Sequence, residues 1–385
     1  MAGPKPLLLT PLTIRGVTLP NRIAVSPMAM YRARDGFPTP FHLVHYGKFA
    51  LGGAGLVYVE EAAVTRTGRI TNGCLGLWDD AHAEALAPVA AFLSAEGSIP
   101  AIQINHGGRK ASAQRAWEGN GRLTPENLAN GDESWQPLGP SENPFSEGWP
   151  VPRPLDRDDM DTIREAFVAA ALRAVRAGFR IVEIHMAHGY LLQSFLSPLA
   201  NARSDAYGGS RENRMRFPLE VARAIRGALP SDVPVFARIS AVDWIEGGWE
   251  MDDSVALARA LGEAGVDLVD CSSGGNLLKG ATNTNLSRSP GYQAPFARRL
   301  REEAGVFTQA VGLIRTPHLA EELLQAGSAD IIAVGRQMLY DPFWAHHATE
   351  ALGETGAFEA WPRPYAWWLE KWAAGLRSSG EAPAA

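Results

Sequence analysis

Two imidazoles and a phenol stand close together at His185, His188 and Tyr190, within Glu183-Ile184-His185-Met186-Ala187-His188-Gly189-Tyr190. They follow a short apolar run, Ile181 to Ile184. Imidazole N–H groups can hold an oxygen on which negative charge develops. A phenol beside them can give up a proton. The combination suits polarising a carbonyl or nitro group and then protonating its neighbouring carbon. It supplies no electrons, so those must come from elsewhere. Metal binding is the competing reading. It needs a third protein ligand, for which His106 and Glu183 are the nearest in sequence, but no H-E-x-x-H helix or His-rich cluster is present.

Such a site needs a scaffold, and the chain repeats one pattern. Short β-branched or apolar runs occur at Arg22–Met28, Gly55–Glu60, Ile99–Asn105, Arg180–His185, Val233–Ser240, Val266–Ser272, Val306–Val311 and Asp330–Gly335. Helical periodicity fills the gaps at His42–Leu51, Ala81–Glu96, Asp158–Ala177, Arg211–Leu229, Asp252–Ala264, Gln293–Glu303 and Pro317–Ala326. Gly97, Gly178, Gly265, Gly305 and Gly327 stand just past helical stretches, where helices stop. Strand–helix alternation implies parallel pairing with right-handed crossovers. Eight such units, with strands apolar on both faces, predict an α/β fold of the (β/α)8 TIM-barrel kind. An open doubly wound sheet would advertise G-x-G-x-x-G after its first strand, and the chain has neither that nor a phosphate loop. Residues 1–385 read as one domain. A long excursion, 107–156, follows the third strand and is rich in Gly, Pro, Asn, Glu and Trp. Trp117, Trp135 and Trp149 favour ordered packing there. An aromatic tail, 361–377, must find cover on its own barrel or on a neighbour. Ser378 to Ala385 reads as frayed.

Composition excludes several classes. A formal net charge of -6 gives no footprint for nucleic acid. No apolar run approaches a membrane span, and Leu7-Leu8-Leu9 is too short for a signal-peptide core. The protein is expected to be soluble and cytoplasmic. Cys74 and Cys271 are the only cysteines, too few for a disulfide framework, a Cys-rich zinc site or a four-thiolate cluster. They read as reduced, buried thiols.

In a (β/α)8 barrel the active site lies where strands end. Strand one ends Ser26-Pro27-Met28-Ala29-Met30-Tyr31, and strand two ends Glu60-Glu61. Strand three carries Gln103 and ends Asn105-His106-Gly107-Gly108-Arg109-Lys110. Strand five carries Arg238 and strand six Cys271. Strand seven runs to Gly312, and strand eight ends Gly335-Arg336. Barrels often bind a phosphate between the last two loops, and glycine lets the backbone approach it. The bland alternative is a turn and a surface arginine. Arg238, a cation in an apolar strand, is either one half of an internal salt bridge or a fixed positive charge facing an electron-rich ring. Gln103 either satisfies a backbone group or reads the edge of a heterocycle.

Taken together these segments resemble the Old Yellow Enzyme family of FMN-dependent ene-reductases. The resemblance rests on Ser26-Pro27-Met28, on Gln103 to Lys110, on His185 to Leu191, on Asn201-Ala202-Arg203-Ser204-Asp205-Ala206-Tyr207-Gly208-Gly209-Ser210-Arg211-Glu212-Asn213-Arg214, and on Gly335-Arg336. It is collinear from about Pro11 to the tail. His-x-x-His and Tyr31 make it most similar to the bacterial, YqjM-like branch.

The resemblance implies roles for the site residues. Ser26, Pro27, Met28, Ala29 and Glu61 would border the flavin, and Gln103 would bond its pyrimidine edge. Arg238 would face N1 and the C2 carbonyl, while Gly312, Gly335 and Arg336 would hold the phosphate. The implied mechanism is ping-pong. NADPH or NADH gives a hydride to tightly bound, non-covalent FMN and leaves. An activated alkene then binds, held at its oxygen by His185 and His188, and Tyr190 protonates it. Tyr31 would shape the pocket. The implied assembly is a homodimer or higher homo-oligomer, with Trp368 of the tail near the neighbour's site. No metal is implied. Two departures stand out: Ala29 replaces a cysteine usual in this branch, and Glu61 replaces an alanine. Other readings of the chain are the same flavin chemistry run as a desaturase, a flavin-free barrel lyase or isomerase, and a non-catalytic flavin sensor.

Overall fold

Eight short apolar runs, alternating with helices, close this chain into a barrel. The computed structural model describes residues 5–277, 288–353 and 358–379. The barrel strands are β1 (Ile23–Val25), β2 (Leu56–Ala63), β3 (Ile99–Asn105), β4 (Ile181–Met186), β5 (Val235–Ser240), β6 (Leu268–Ser272), β7 (Phe307–Ala310) and β8 (Ile331–Val334). Each pairs in parallel with the next, and β8 pairs back onto β1, so the barrel has no free edge. The connecting helices are α1 (Pro40–Leu51), α2 (Asp80–Ala95), α3 (Arg157–Arg176), α4 (Arg211–Ala228), α5 (Met251–Glu263), α6 (Ala294–Ala304), α7 (Pro317–Gln325) and α8 (Trp344–Ala351). Their starts follow from local chemistry. The side chains of Asp79, Asp156, Ser210 and Thr316 each accept a backbone N–H of the first turn, and Pro40 and Pro317 open α1 and α7. The five expected stop glycines all have positive φ.

Strand alternation sorts the side chains into two sets. Val57, Val59, Ile102, Ile104, Val182, Ile184 and Ile239 pack into the large cluster shared with the helices. Leu56, Tyr58, Ala101, Ile181, Phe236, Leu268, Ile331 and Ala333 form a separate cluster in the barrel interior. A hairpin of Leu12–Ile14 with Val17–Leu19 joins that cluster through Ile14, Val17 and Leu19 and plugs the N-terminal mouth. The opposite mouth is left for chemistry.

The larger differences from expectation are two strand ends and two added helices. β1 stops at Val25, so Ser26 to Met28 belong to the loop. β2 runs on through Glu60 and Glu61 to Ala63. It does so because of a bulge: Val59 pairs with Ile102 and Ala62 with Ile104, so Glu60 and Glu61 together oppose Gln103. Two polar residues in sequence read as a strand end when they are an irregularity within one. The helix α8 and a seventeen-residue tail helix, α9 (Arg363–Ser379), lie beyond the last helical stretch that periodicity picked out. Ser378 and Ser379 end α9, and the rest of the segment expected to fray lies outside the described residues. No helix among the described residues is long and apolar enough to cross a membrane. Cys74 and Cys271 are both buried and unpaired, as expected.

Candidate active site

The two histidines sit where β4 gives way to its loop. His185 is the inward-facing, buried penultimate residue of β4. His188 follows in the left-handed region at φ 60°, a conformation that a side-chain-bearing residue adopts only when its surroundings enforce it. The enforcement is visible. Its N–H donates to Ser240 Oγ at 3.0 Å, and its carbonyl accepts from Lys110 Nζ at 2.8 Å. Gly275 passes so close that a Cβ there would lie 2.5 Å from His188 Cα.

The rings form a chain of contacts. Ala187 N–H donates to His185 Nδ1 at 3.1 Å, which leaves the proton of a neutral ring on Nε2. That Nε2 lies 3.2 Å from His188 Nδ1, and His188 Nε2 lies 2.6 Å from Ser272 Oγ. Both imidazoles are held well below their ordinary pKa, chiefly by burial and then by neighbouring charges including Arg238 and Lys110, so both are neutral at pH 7. Two proton arrangements are open to this chain, and only the first makes the contact between the rings a hydrogen bond. In one, His185 donates to His188, which donates to Ser272. In the other, the Ser272 hydroxyl donates to His188 Nε2, and His185 Nε2–H and His188 Nδ1–H then converge on one point. The second arrangement is a two-donor receptor for a single oxygen.

Tyr190 completes the group. Its ring meets the His185 ring edge-on, with centroids 4.9 Å apart, and Lys110 Nζ lies 4.9 Å from its centroid. Burial pushes the phenol above its ordinary value. Burial, with the charge of Arg109, brings Lys110 down to about 7. Tyr31, itself left-handed at φ 51°, joins Tyr190, His188, Lys110, Phe145, Trp149 and Ser272 around a cavity of about 360 Å3. Phe145 and Trp149 come from the 107–156 excursion, which is ordered over the barrel mouth.

A second cavity of the same size adjoins the first, and both share Tyr292 and Gln293. It brings together Arg238, Gly312, Gly335 and Arg336 with Leu313 and Arg315. Each cavity is in the size range of small-molecule sites. Gly312 has φ 129°, and a Cβ there would meet Gln293 Nε2 at 3.0 Å. Arg238 is buried. Its Nη1 donates to Ser26 Oγ at 3.2 Å across the barrel, and its Nε lies 3.4 Å from Asp270 without a well-formed hydrogen bond. Arg238 is therefore ion-paired inside the barrel and also lines a cavity. Gln103 Nε2 donates to Glu183 Oε1 at 2.8 Å. Burial pushes Asp270 and Glu183 above the usual carboxylate range, against the pull of Arg238, and Asp270 adds to the rise of Glu183, which reaches about 8.

This donor set fits FMN. Gly312, Gly335, Arg315 and Arg336 line one cavity with the Arg238 guanidinium, a donor set suited to an anion and an electron-rich ring, while the Gln103 amide lines neither cavity. Ala29 belongs to the loop after β1, and Pro27 and Met28 precede it; Met28 Sδ lies 3.5 Å from where a Cβ on Gly335 would be. Glu61 is buried in the β2 bulge and lines neither cavity. Trp368 lies on α9, 66% exposed. Among the described residues, no group of three His, Cys, Asp or Glu side chains is disposed to hold a metal ion.

Sequence reasoning missed Ser272, Ser240, Lys110, Arg315 and Glu60 as members of the site. Ser272, Lys110 and Glu60 stood at strand ends already picked out, where a polar residue after an apolar run is itself a signal. Glu60 Oε2 accepts the N–H of Met30 at 2.7 Å and of Tyr31 at 3.4 Å, and so holds the loop after β1. Arg315 carried no sequence signal beyond its charge.

Comparison with known proteins agrees with this geometry. Residues 7–354 match the model of the NADH:flavin oxidoreductase / NADH oxidase family. An NADPH dehydrogenase of Bacillus subtilis is 42% identical over 347 residues, covering 90% of this chain and 95% of that protein. An NADH:flavin oxidoreductase of Gibberella zeae is 40% identical over 359 residues, 90% of this chain and 86% of that one. A solved structure of morphinone reductase with tetrahydroNAD superposes with a TM-score of 0.72 at 27% identity, covering 90% of this chain and 91% of that chain. The chain belongs to the NADH:flavin oxidoreductase / NADH oxidase family, as an Old Yellow Enzyme-type oxidoreductase that uses FMN and takes hydride from NAD(P)H.

Proposed function

We propose that this enzyme is an ene-reductase, reducing C=C bonds conjugated to a carbonyl or nitro group at the expense of NADPH or NADH. The observation that carries the reading is the pair His185 Nε2 and His188 Nδ1, 3.2 Å apart, of which His188 lines a cavity together with Tyr190. FMN, when bound, would supply two-electron hydride chemistry between the dinucleotide and the alkene. Everything else falls to the protein.

Arg238 and Gln103 would hold the electron-rich ring, with Ser26, Pro27, Met28 and Ala29 along its edge and Glu61 behind the strand that borders it. Gly312, Gly335 and Arg336 would hold the phosphate, aided by Arg315. His185 and His188 would donate N–H groups to the substrate oxygen, where negative charge builds as the β-carbon is reduced. Being neutral, they leave that oxygen unprotonated and stabilise it by hydrogen bonds alone. Tyr190 would then donate its phenolic proton to the α-carbon. Tyr31, Phe145 and Trp149 would exclude water and present flat apolar surface to the alkene. In this reading residues 1–385 act as one FMN-binding domain in a cytoplasmic homodimer, and Trp368 of one protomer borders the site of its partner.

The test is a pair of half-reactions followed by flavin absorbance. The purified protein should be yellow, bleach anaerobically with NADPH, and recover its colour on addition of cyclohexenone or a maleimide. Bleaching without recovery by any such acceptor would remove the ene-reductase reading and leave an NAD(P)H–flavin oxidoreductase.

A further inference from the structure

Tyr31 lines the same cavity as His188 and Tyr190, and its backbone lies in the left-handed region at φ 51°. A tyrosine holds that conformation only when its neighbours impose it. Two neighbours do so. On the carbonyl side, a Cβ on Gly73 would lie 2.7 Å from the Tyr31 carbonyl carbon, so only glycine fits there. The Gly73 carbonyl in turn accepts the N–H of Ala33 at 3.0 Å. On the amide side, Glu60 Oε2 accepts the N–H of Met30 at 2.7 Å and, at a longer 3.4 Å, that of Tyr31.

Glu60 is itself held by α1. Tyr46 Oη donates to Glu60 Oε1 at 3.0 Å and accepts the N–H of Glu60 at 2.9 Å. One phenol thereby fixes both the carboxyl group and the backbone of the bulge residue. His42 Nε2 stands 3.7 Å from Oε1, too far for a hydrogen bond, and its Nδ1 is engaged by the N–H of Thr39. Tyr46 and Glu60 are buried, and neither lines either cavity. A continuous path of hydrogen bonds therefore runs from α1, through the β2 bulge, to the loop that carries Tyr31.

We propose that Tyr46 and Glu60 set the affinity for the alkene by fixing where Tyr31 stands in the cavity. Both are positioning residues that act through Tyr31 without touching substrate. The proposal rests on the ene-reductase reading and on Tyr31 shaping the pocket. Without the Tyr46 hydroxyl, the Glu60 N–H and Oε1 lose their partner in a dry interior, which is costly enough to make the bulge rearrange. The grip on Met30 and Tyr31 then loosens, and the Tyr31 ring no longer fits the alkene. That ring meets the ground state and the transition state alike, so the loss is one of uniform binding.

The experiment uses the FMN-loaded holoenzyme, reduced by NADPH and mixed with cyclohexenone in stopped flow. Tyr46→Phe keeps the ring and its packing and removes only the hydroxyl. It should raise the half-saturating cyclohexenone concentration about threefold to tenfold, the worth of one or two hydrogen bonds, and leave the limiting rate within about twofold. Glu60→Gln should act in the same way, and either variant carries the test should the other not fold. In a Tyr31→Ala background neither should add anything, because the ring they position is gone. Half-saturation unaltered in both variants overturns the proposal. So does a rise that persists undiminished in Tyr31→Ala, which would mark a role in the fold alone. A native enzyme whose reduced flavin neither cyclohexenone nor a maleimide reoxidises removes the ene-reductase reading, and this proposal with it. Native reoxidation with no effect of Tyr46→Phe or Glu60→Gln leaves that reading standing and removes only the role of these two residues.

Discussion

His188 is fixed from both sides, its backbone by Ser240 and Lys110 and its ring by His185 and Ser272. The consequence is that the two imidazoles cannot both donate to a ligand unless Ser272 turns its hydroxyl hydrogen toward His188 Nε2. Truncating either imidazole should therefore cost alkene reduction heavily. Removing one such donor lowers a rate by about 10² to 10³. His185→Ala and His188→Ala should each show that loss in the oxidative half-reaction by stopped flow, with flavin reduction by NADPH far less affected. Equal losses in both halves would mean that the rings serve the fold or the nicotinamide instead. Much of this was legible in the sequence, because His185, His188 and Tyr190 lie within one short stretch and strand ends in a barrel face one mouth. Ser272 was not, because its role depends on a contact between β4 and β6 that no local pattern encodes.

At the scale of elements, strands were legible where an apolar run was clean, and β3 matched residue for residue. The β2 bulge was not, because Glu60-Glu61 interrupts the apolar run, and only the pairing with β3 reveals that the strand continues. Gly312 after β7 shows the opposite case, a sequence expectation with a steric cause. Its φ of 129° is open to few other residues, and a Cβ would press on Gln293 and Tyr292 where the two cavities meet. Strain of this sort is worth about 1–3 kcal/mol. Gly312→Val should therefore weaken FMN retention about tenfold to a hundredfold, read as the flavin-to-protein ratio after dialysis and as the Kd on reconstitution. Undiminished retention with native circular dichroism would show that the loop after β7 does not shape the cofactor site.

At the scale of the whole molecule, eight strand–helix units and a missing dinucleotide fingerprint sufficed to read a closed barrel, since closure follows from counting. The tail was harder. Its aromatic density demanded cover, but composition cannot say whose surface provides it. The structure divides the question. Trp361 stacks on Phe343 at 5.2 Å and on His346 at 4.5 Å, so the barrel covers the first of these rings. Further along α9, Lys371 Nζ sits 3.5 Å from the centroid of Trp367. Tyr365, Trp368 and Trp372 remain 42%, 66% and 48% exposed. Their spacing puts all three on one face of the helix. Three adjoining aromatic rings open to water on one helix face are unfavourable for a monomer, and a second copy of this chain would cover them. In the proposed homodimer this face would meet the partner, so replacing Trp368 and Trp372 together by Glu should leave a monomer in light scattering, while far-ultraviolet circular dichroism and bound flavin persist. An unaltered mass would exclude α9 from the interface, and a monomer with undiminished alkene turnover would show that Trp368 does not complete a partner's site.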